Sequence, residues 1–411
     1  MEPGLTAALI RADRGARGDG GAAVVRTPRG WVAATDPVEV LEVSGPDAWA
    51  ALDDLGPGFW AGFATFELGH AVERVEPGRA AYDASPRLPD LVLARFAHAD
   101  PVEAAPYPAR ARLARAIVEA APRLGPAVRT SLTRDDYVTR VERILEHIRA
   151  GDCYQVNLTR TLEWNATPDA AALFGALTVR GAAPHATLLQ LPLASGPAAV
   201  VSASPERFLS WTGASVETRP IKGTAAVADA LARSAKDHAE NVMIVDLARN
   251  DLGRVCRTGS IHVPALCATE RHPGLAHLVS TVRGELRDDV GLGALLRATL
   301  PAASITGAPK PRVLQIIEDL EPVRRGVYCG AVGWIDTRRK WGATEGDLAV
   351  AIRTFTLAHG RTTLGVGGGI VADSDPGREW DETRLKARRL LRATGASEPH
   401  AVTVNGERVA V

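Results

Sequence analysis

Two pairs of carboxylates are spaced for joint work. Glu379 and Glu382 lie three residues apart with Lys386 four further on, in a segment that Asp375-Pro376 opens and Gly395 closes as a helix. At i, i+3 and i+7 the three side chains share one helix face. Asp237 and Glu240 repeat the i,i+3 acidic spacing in a second helical segment. If the two pairs converge, their hard oxygens make a Mg²⁺ site, with the remaining positions left to water and an anionic substrate. Taken singly, each pair also fits a solvated face, with Glu382 and Lys386 as an ordinary i,i+4 ion pair.

Three other segments carry chemistry. Arg219-Pro-Ile-Lys-Gly-Thr224 sets Lys222 between an apolar residue and a glycine, where the chain is expected to turn; a desolvated lysine there serves as nucleophile or base, although most lysines are plain surface residues. Gly365-Val-Gly-Gly-Gly369 is followed by the strand-like Ile370-Val-Ala-Asp373 rather than a helix, so it is not a dinucleotide loop. Glycines at such a strand turn still admit a carboxylate to backbone N–H groups, or form a bulge without a ligand. Ser304-Ile-Thr-Gly-Ala-Pro-Lys-Pro311 lacks Walker spacing; its last proline fits N1 of a helix, whose N-terminus favours anions or is simply capped. Arg338-Arg339-Lys340 reads as a wet hairpin tip and His272, beside Pro273, as a loop residue.

Composition narrows the class. The 411 residues carry 48 Lys+Arg against 48 Asp+Glu, and zero net charge argues against a nucleic-acid scaffold. With 46% hydrophobic and 23% charged residues the chain reads as soluble and globular. No apolar stretch is long enough for a membrane span, and the opening residues lack a basic segment followed by an apolar core, so a cytoplasmic protein is expected. Cys153, Cys256, Cys267 and Cys329 form no CxxC pair, and reduced thiols are the default.

The elements that must hold these groups follow from periodicity. Tyr137, Val141, Ile144, Leu145 and Ile148 recur at three and four residues behind a Thr133/Asp136 capping box, with Gly151 as the stop. Next, Tyr154, Val156 and Leu158 alternate with Gln155, Asn157 and Thr159, a strand with one apolar face and one polar face that invites a site. Helices are expected near Asp237–Leu247, Pro311–Leu320 and Pro376–Thr394, and a hairpin from Val327–Ile335 with Asp347–Thr356. Gly58–Phe63 and Leu88–Ala94 read as strands, and Ala104–Pro126 as a boundary or surface connection. Hairpins mixed with helices predict an α+β fold.

Together the segments resemble the chorismate-utilising enzymes, a family containing anthranilate synthase component I, aminodeoxychorismate synthase component I, isochorismate synthase and salicylate synthase. The matching blocks, in the family's order, are Cys153-Tyr-Gln-Val-Asn-Leu-Thr159, Ser204-Pro-Glu-Arg-Phe208, Arg219-Pro-Ile-Lys-Gly-Thr224, Glu240-Asn-Val-Met-Ile-Val-Asp-Leu-Ala-Arg-Asn-Asp251, His277-Leu-Val-Ser280, Ser304-Ile-Thr-Gly-Ala-Pro-Lys310, Gly326-Val-Tyr328 and Glu379-Trp-Asp-Glu382. Gly62-Phe63 through Glu67-Leu68-Gly69 looks like a family N-terminal strand. Gln155 stands where water-activating members carry lysine, and Lys222 stands where anthranilate synthases carry alanine. That combination resembles the 4-aminating branch, aminodeoxychorismate synthase component I, with anthranilate or 2-amino-2-deoxyisochorismate synthesis, or a non-catalytic chorismate-binding subunit, as alternatives.

The resemblance implies one interwoven α/β sandwich of antiparallel sheets with helices outside, assembled from an N-terminal part (1–125), a chorismate-binding region (126–395) and a C-terminal strand or tail (396–411). It implies Mg²⁺ on Glu240 and Glu382 with Asp237 and Glu379 in support, Asp237 standing where many members have a glutamate. Lys222 would attack C2 of chorismate, Glu206 would act as general acid, and His277 would sit by the leaving hydroxyl. Tyr328, Arg353, Ser304, Gly367 and Gly369 would hold substrate carboxylates, with Gln155, Thr224 and Lys386 also lining the substrate. No cysteine context suits a glutaminase, so ammonia is expected from a separate glutaminase subunit, and a downstream lyase would be needed to reach 4-aminobenzoate.

Overall fold

A computed structural model of the chain describes residues 2–15, 20–73, 75, 87–102, 112, 115, 116, 119, 123–225, 234–272, 275–338, 344–399, 401–404 and 407–410. Most of the Ala104–Pro126 stretch and the Arg339-Lys340 tip lie outside these residues. Eighteen of the described strands form one large antiparallel sheet system, the others two small two-stranded sheets, with helices packed on the large one, the expected α+β class.

The N-terminal strands are paired into the rest of the chain. Phe59–Ala64 runs antiparallel to Ala331–Asp336, and Ala22–Thr27 to His185–Leu193. Both expected strands near residues 58 and 88 exist, as Phe59–Ala64 and Leu91–Pro101. The expected hairpin forms from Ala331–Asp336 and Glu345–Val350 alone; Thr354–Ala358 instead pairs with Gly196–Ser204 and Arg361–Ile370. His272 closes the strand His262–His272 rather than lying in a loop. Among the described residues no helix is long and apolar enough to cross a membrane.

The helix Arg134–Arg149 forms where the capping box placed it: Thr133 accepts from the Asp136 amide, and Asp136 accepts from the Thr133 amide. Such a cap is worth about 1 kcal/mol. Gly151 follows at φ +83°, a conformation glycine adopts without a Cβ clash. Tyr137, Val141, Ile144 and Leu145 are buried, and the Tyr137 ring lies 5.7 Å from Trp380 of the helix Pro376–Ala393. That second helix starts with Asp375 accepting from the Arg378 amide at 2.8 Å and buries Ala387, Leu390 and Leu391 against Leu364 and Val366. It is thereby fixed over the glycine-rich strand Arg361–Ile370 from two sides.

Two local expectations need correction. The strand Gln155–Trp164 is buried along both faces, and Tyr154, placed on its apolar face by the alternation, lies before it at 72% exposure. A strand in the middle of a packed sheet has no solvent face, so its polar side chains are enclosed as well. The helix after Ser304 begins at Lys310, so Pro311 occupies the second helical position, and Lys310 turns inward to Asp251 at 2.7 Å.

Candidate functional site

The glycine-rich segment is a strand interior, not a strand turn. It pairs with Gln155–Trp164 along its whole length, Gly367 opposite Thr159 and Gly369 opposite Asn157. The Thr159 amide donates to Glu321 at 2.7 Å and the Asn157 amide to the Thr306 carbonyl at 2.7 Å, so both turn away from the glycines. Residues opposed in this way form non-hydrogen-bonded pairs, and Gly367 and Gly369 therefore direct their own amides and carbonyls to the opposite edge. On that edge the pairing with Thr354–Ala358 ends at Leu364. The Gly367 carbonyl there accepts the Lys386 ammonium at 3.0 Å.

Glycine is required along this strand for space. A Cβ at Gly365 would overlap the ring of buried Tyr328, and one at Gly369 would stand 3.1 Å from Gln155 Nε2 and 3.4 Å from Lys222 Nζ. Gln155 is 0% exposed, and among the described residues neither of its amide atoms has a hydrogen-bond partner, nor does the buried Ser304 hydroxyl. Buried amides are normally paired. The side chains of Gln155 and Ser304 are thus free to bind an incoming polar group.

Lys222 reaches this place from a bulge. The strand Ile221–Ala225 slips register against Leu275–Glu285 between Lys222 and Thr224, with Gly223 at φ +72°. Lys222 pairs with Leu278, and Thr224 with buried His277. The side chain of Thr224 lies outside the described residues. Burial holds the Lys222 ammonium below its ordinary range, with Lys386 adding to that effect and Glu240, Glu206 and Glu382 opposing it.

Glu206 is pinned through its backbone: its amide donates to Ser204 Oγ at 3.2 Å, and its carbonyl accepts from Val350 at 3.1 Å. Glu206 lines a partly open pocket with Phe208, Ile244, Leu252 and Ser304. Burial raises its pKa to about 7, while the nearby Ser304 hydroxyl, the charges of Lys222 and Arg353 and the Ile221 amide pull the other way. The Ser304 hydroxyl does so without closing a hydrogen bond of good geometry. Half-buried Arg353 sits at φ +53°, a strained value for a residue with a Cβ. Electrostatically it faces Glu206 and Arg389.

The acidic helix completes the group. A Cβ at Gly368 would lie 3.4 Å from Glu379 Oε2, 3.7 Å from Lys386 Nζ and 3.8 Å from Glu382 Oε1, so the three predicted neighbours do share one face. Lys386 pairs with Glu382 at 2.8 Å. Burial raises the Glu379 pKa, against a 2.6 Å hydrogen bond from Ser374, and the like charge of Glu382 adds to the rise. Burial would also raise Glu382, but Lys386, Lys236 and Lys222 bring it below the usual carboxylate range. Glu240 pairs with Lys236 at 3.8 Å.

Asp237 lies in the first turn of the helix that carries Glu240. Its amide donates to Ser234 Oγ in the first turn of the helix Ala235–Gly253, and its carboxylate makes no hydrogen bond or ion pair among the described residues. Nor do three acidic, His or Cys side chains close on one point among those residues. Mg²⁺ asks for less, being held by one or two carboxylates with substrate oxygens and water, and the neighbouring Glu379 and Glu382 beside Gly368 are carboxylates of that kind. Sequence reasoning singles out neither Lys236 nor Ser374; the i,i+4 spacing of Lys236 and Glu240 is a signal for the first, and nothing local marks the second.

The chain as a whole has known relatives. Residues 8–392 match the chorismate binding enzyme family. The chain belongs to that family. It is 40% identical over 273 residues to aminodeoxychorismate synthase component 1 of Escherichia coli, covering 64% of this chain and 58% of that protein. It is also 40% identical over 293 residues to anthranilate synthase component 1 of Pseudomonas aeruginosa, covering 68% and 57%. The chain thus spans under two thirds of the length of these relatives. The crystal structure of anthranilate synthase component I from Streptococcus pneumoniae superposes with a TM-score of 0.72 at 26% identity, over 87% of this chain and 91% of that one.

Proposed function

We propose that this chain aminates chorismate at C4, giving 4-amino-4-deoxychorismate, through a covalent adduct of Lys222. The observation that carries the reading is the convergence of a desolvated lysine on the unpartnered amide of Gln155, with a protonatable Glu206 behind it. The Lys222 amine adds to C2, the ring double bond shifts, and the C4 hydroxyl departs as water on the proton of Glu206. Ammonia then adds at C4, the double bond returns, and Lys222 is expelled from C2 with its bond electrons, while Glu206 recovers a proton. His277, buried on the strand paired with that of the lysine, would sit by the leaving hydroxyl.

Carboxylate recognition falls to Arg353, Tyr328 and Ser304 and to the outward backbone of Gly367 and Gly369, Gln155 and Lys386 flanking them. Glu240 and Glu382, with Glu379, would hold Mg²⁺, which when bound supplies positive charge to a substrate carboxylate. Asp237, in the first turn of the helix that carries Glu240, would stand in support. Ammonia comes from a separate glutaminase: burial pushes all four thiols up, Cys256 to about 11 and Cys329 to about 12, which is the reverse of an activated nucleophile. The relative's name, component 1, agrees with such a partner. The product keeps its enolpyruvyl group, so a lyase must follow for 4-aminobenzoate, towards folate or a specialised metabolite, in a cytoplasm where the four thiols stay free.

The equal similarity to an anthranilate synthase supports a second reading, amination at C2 with Lys222 a bystander. Chorismate, Mg²⁺ and an ammonium salt at mildly alkaline pH, without any partner, separate the two by mass spectrometry and NMR of the product. The 4-amino product is expected; a 2-amino product or anthranilate would overturn the proposal, and no turnover would favour a binding subunit. Lys222→Ala should abolish 4-amination or divert it to C2, whereas undiminished 4-amination would sink the covalent step.

A further inference from the structure

A buried ion pair outside the proposed chemistry ties the walls of the site together. Arg325 and Glu321 are 2% and 4% exposed at their side chains. Arg325 Nε and Nη2 hold the Glu321 carboxylate at 2.9 and 2.8 Å. Its Nη1 donates to the Ile305 carbonyl at 2.9 Å, and Nη2 also to the Asn157 carbonyl at 2.7 Å. Glu321 in turn accepts from the Thr159 amide at 2.7 Å. Each contact falls beside a group assigned to the substrate. Ile305 follows Ser304, Asn157 lies two residues past Gln155, Thr159 is paired opposite Gly367, and Arg325 itself stands three residues before Tyr328. The backbone of Arg325 is fixed as well, its amide donating to Glu67 at 2.7 Å.

We propose that Arg325 and Glu321 are positioning residues for the substrate, setting Ser304, Gln155, Tyr328 and the outward backbone of Gly367 relative to one another while staying buried themselves. This rests on the reading of those four as substrate-binding groups. A guanidinium suits the task because its N–H donors form a rigid planar fork, whereas a lysine ammonium is a point charge. The carboxylate and the two carbonyls, from three chain segments, must therefore meet one plane. A buried pair of this kind adds little stability over an apolar pair of similar volume, but an apolar pair would leave the Ile305 and Asn157 carbonyls without this donor. Lys222 and Glu206 are held by other elements, the strand Leu275–Glu285 for the first and Ser204 with Val350 for the second. The pair therefore bears on substrate affinity rather than on the chemical step.

Steady-state kinetics of the full chain with chorismate, Mg²⁺ and an ammonium salt test this, in the wild type, in Arg325→Lys and in Arg325→Met combined with Glu321→Gln. The combined variant keeps an acceptor for Thr159 and leaves no lone charge buried, so it should unfold in urea near the wild-type midpoint. In the folded variants KM for chorismate should rise about 10- to 100-fold, the effect of misplaced binding groups. The value of kcat should stay within about threefold of wild type. A KM within about twofold of wild type, or a loss of kcat at unchanged KM, would overturn the proposal. The combined variant decides if Arg325→Lys does not fold; failure of both to fold would make the pair a folding element and overturn the proposal too. Ser304→Ala and Gln155→Leu separate the two levels. Unchanged KM in both removes the binding reading and the role of the pair with it, whereas raised KM there beside unchanged KM in the pair variants removes the positioning role alone.

Discussion

Glu206 makes the sharpest case at the scale of single residues, because its burial acts on rate and on stability together. A carboxyl held at about 7 is protonated over much of the neutral range and can deliver a proton. As pH rises through 7 the acid is lost, so kcat/KM should fall along a limb with a midpoint near 7. Glu206→Gln should lose that limb and run about 10²- to 10⁴-fold slower. The stability sign follows from proton binding. The unfolded carboxyl titrates near 4.3, so between that value and about 7 the folded chain binds more protons, and stability falls as pH rises. Glu206→Gln escapes this loss. Urea denaturation should show the variant gaining up to about 3 kcal/mol over wild type at pH 8 relative to pH 4.5, while a pH-independent difference would contradict the raised pKa. The identity of Glu206 and Lys222 was legible from motifs in the chain. Their pKa directions were not, because they depend on walls such as Ile244 and Leu252 that come from a distant helix.

At the scale of elements, the glycine-rich strand does what no loop could. Pairing with Gln155–Trp164 fixes which glycines turn their amides to the open edge, and a shift of one residue would turn them inward. The same geometry grades its glycines by space. Gly365→Ala drives a methyl into the Tyr328 ring and should cost about 1–3 kcal/mol in thermal or urea unfolding. Gly368→Ala meets only contacts of 3.4 Å and longer and should stay within about 1 kcal/mol of wild type; equal losses at both positions would show that the Tyr328 overlap does not set the cost on this strand. The flanking helices were readable in advance because capping residues and a 3.6-residue period are local signals, as at Thr133 and Asp375. The glycine run was read as a turn because glycine spacing carries no information on strand pairing.

For the whole molecule, the pairing of Phe59–Ala64 with Ala331–Asp336 and of Ala22–Thr27 with His185–Leu193 argues for one folding body. Limited proteolysis should therefore yield no stable, active fragment beginning near residue 126, and recovery of one would separate the N-terminal part as a domain of its own. What the sequence by itself determined is the set of chemical groups, the helices that carry the acids, the α+β class and the likeness to chorismate enzymes, since each rests on residue type, short-range spacing or motif order. Only the tertiary structure decided that Gln155, Lys222 and Gly369 meet, that Ser374 hydrogen-bonds Glu379, and that burial raises Glu206 and Glu379 and lowers Lys222. The physical reason is that register and desolvation arise from contacts between residues far apart along the chain, which no local pattern encodes.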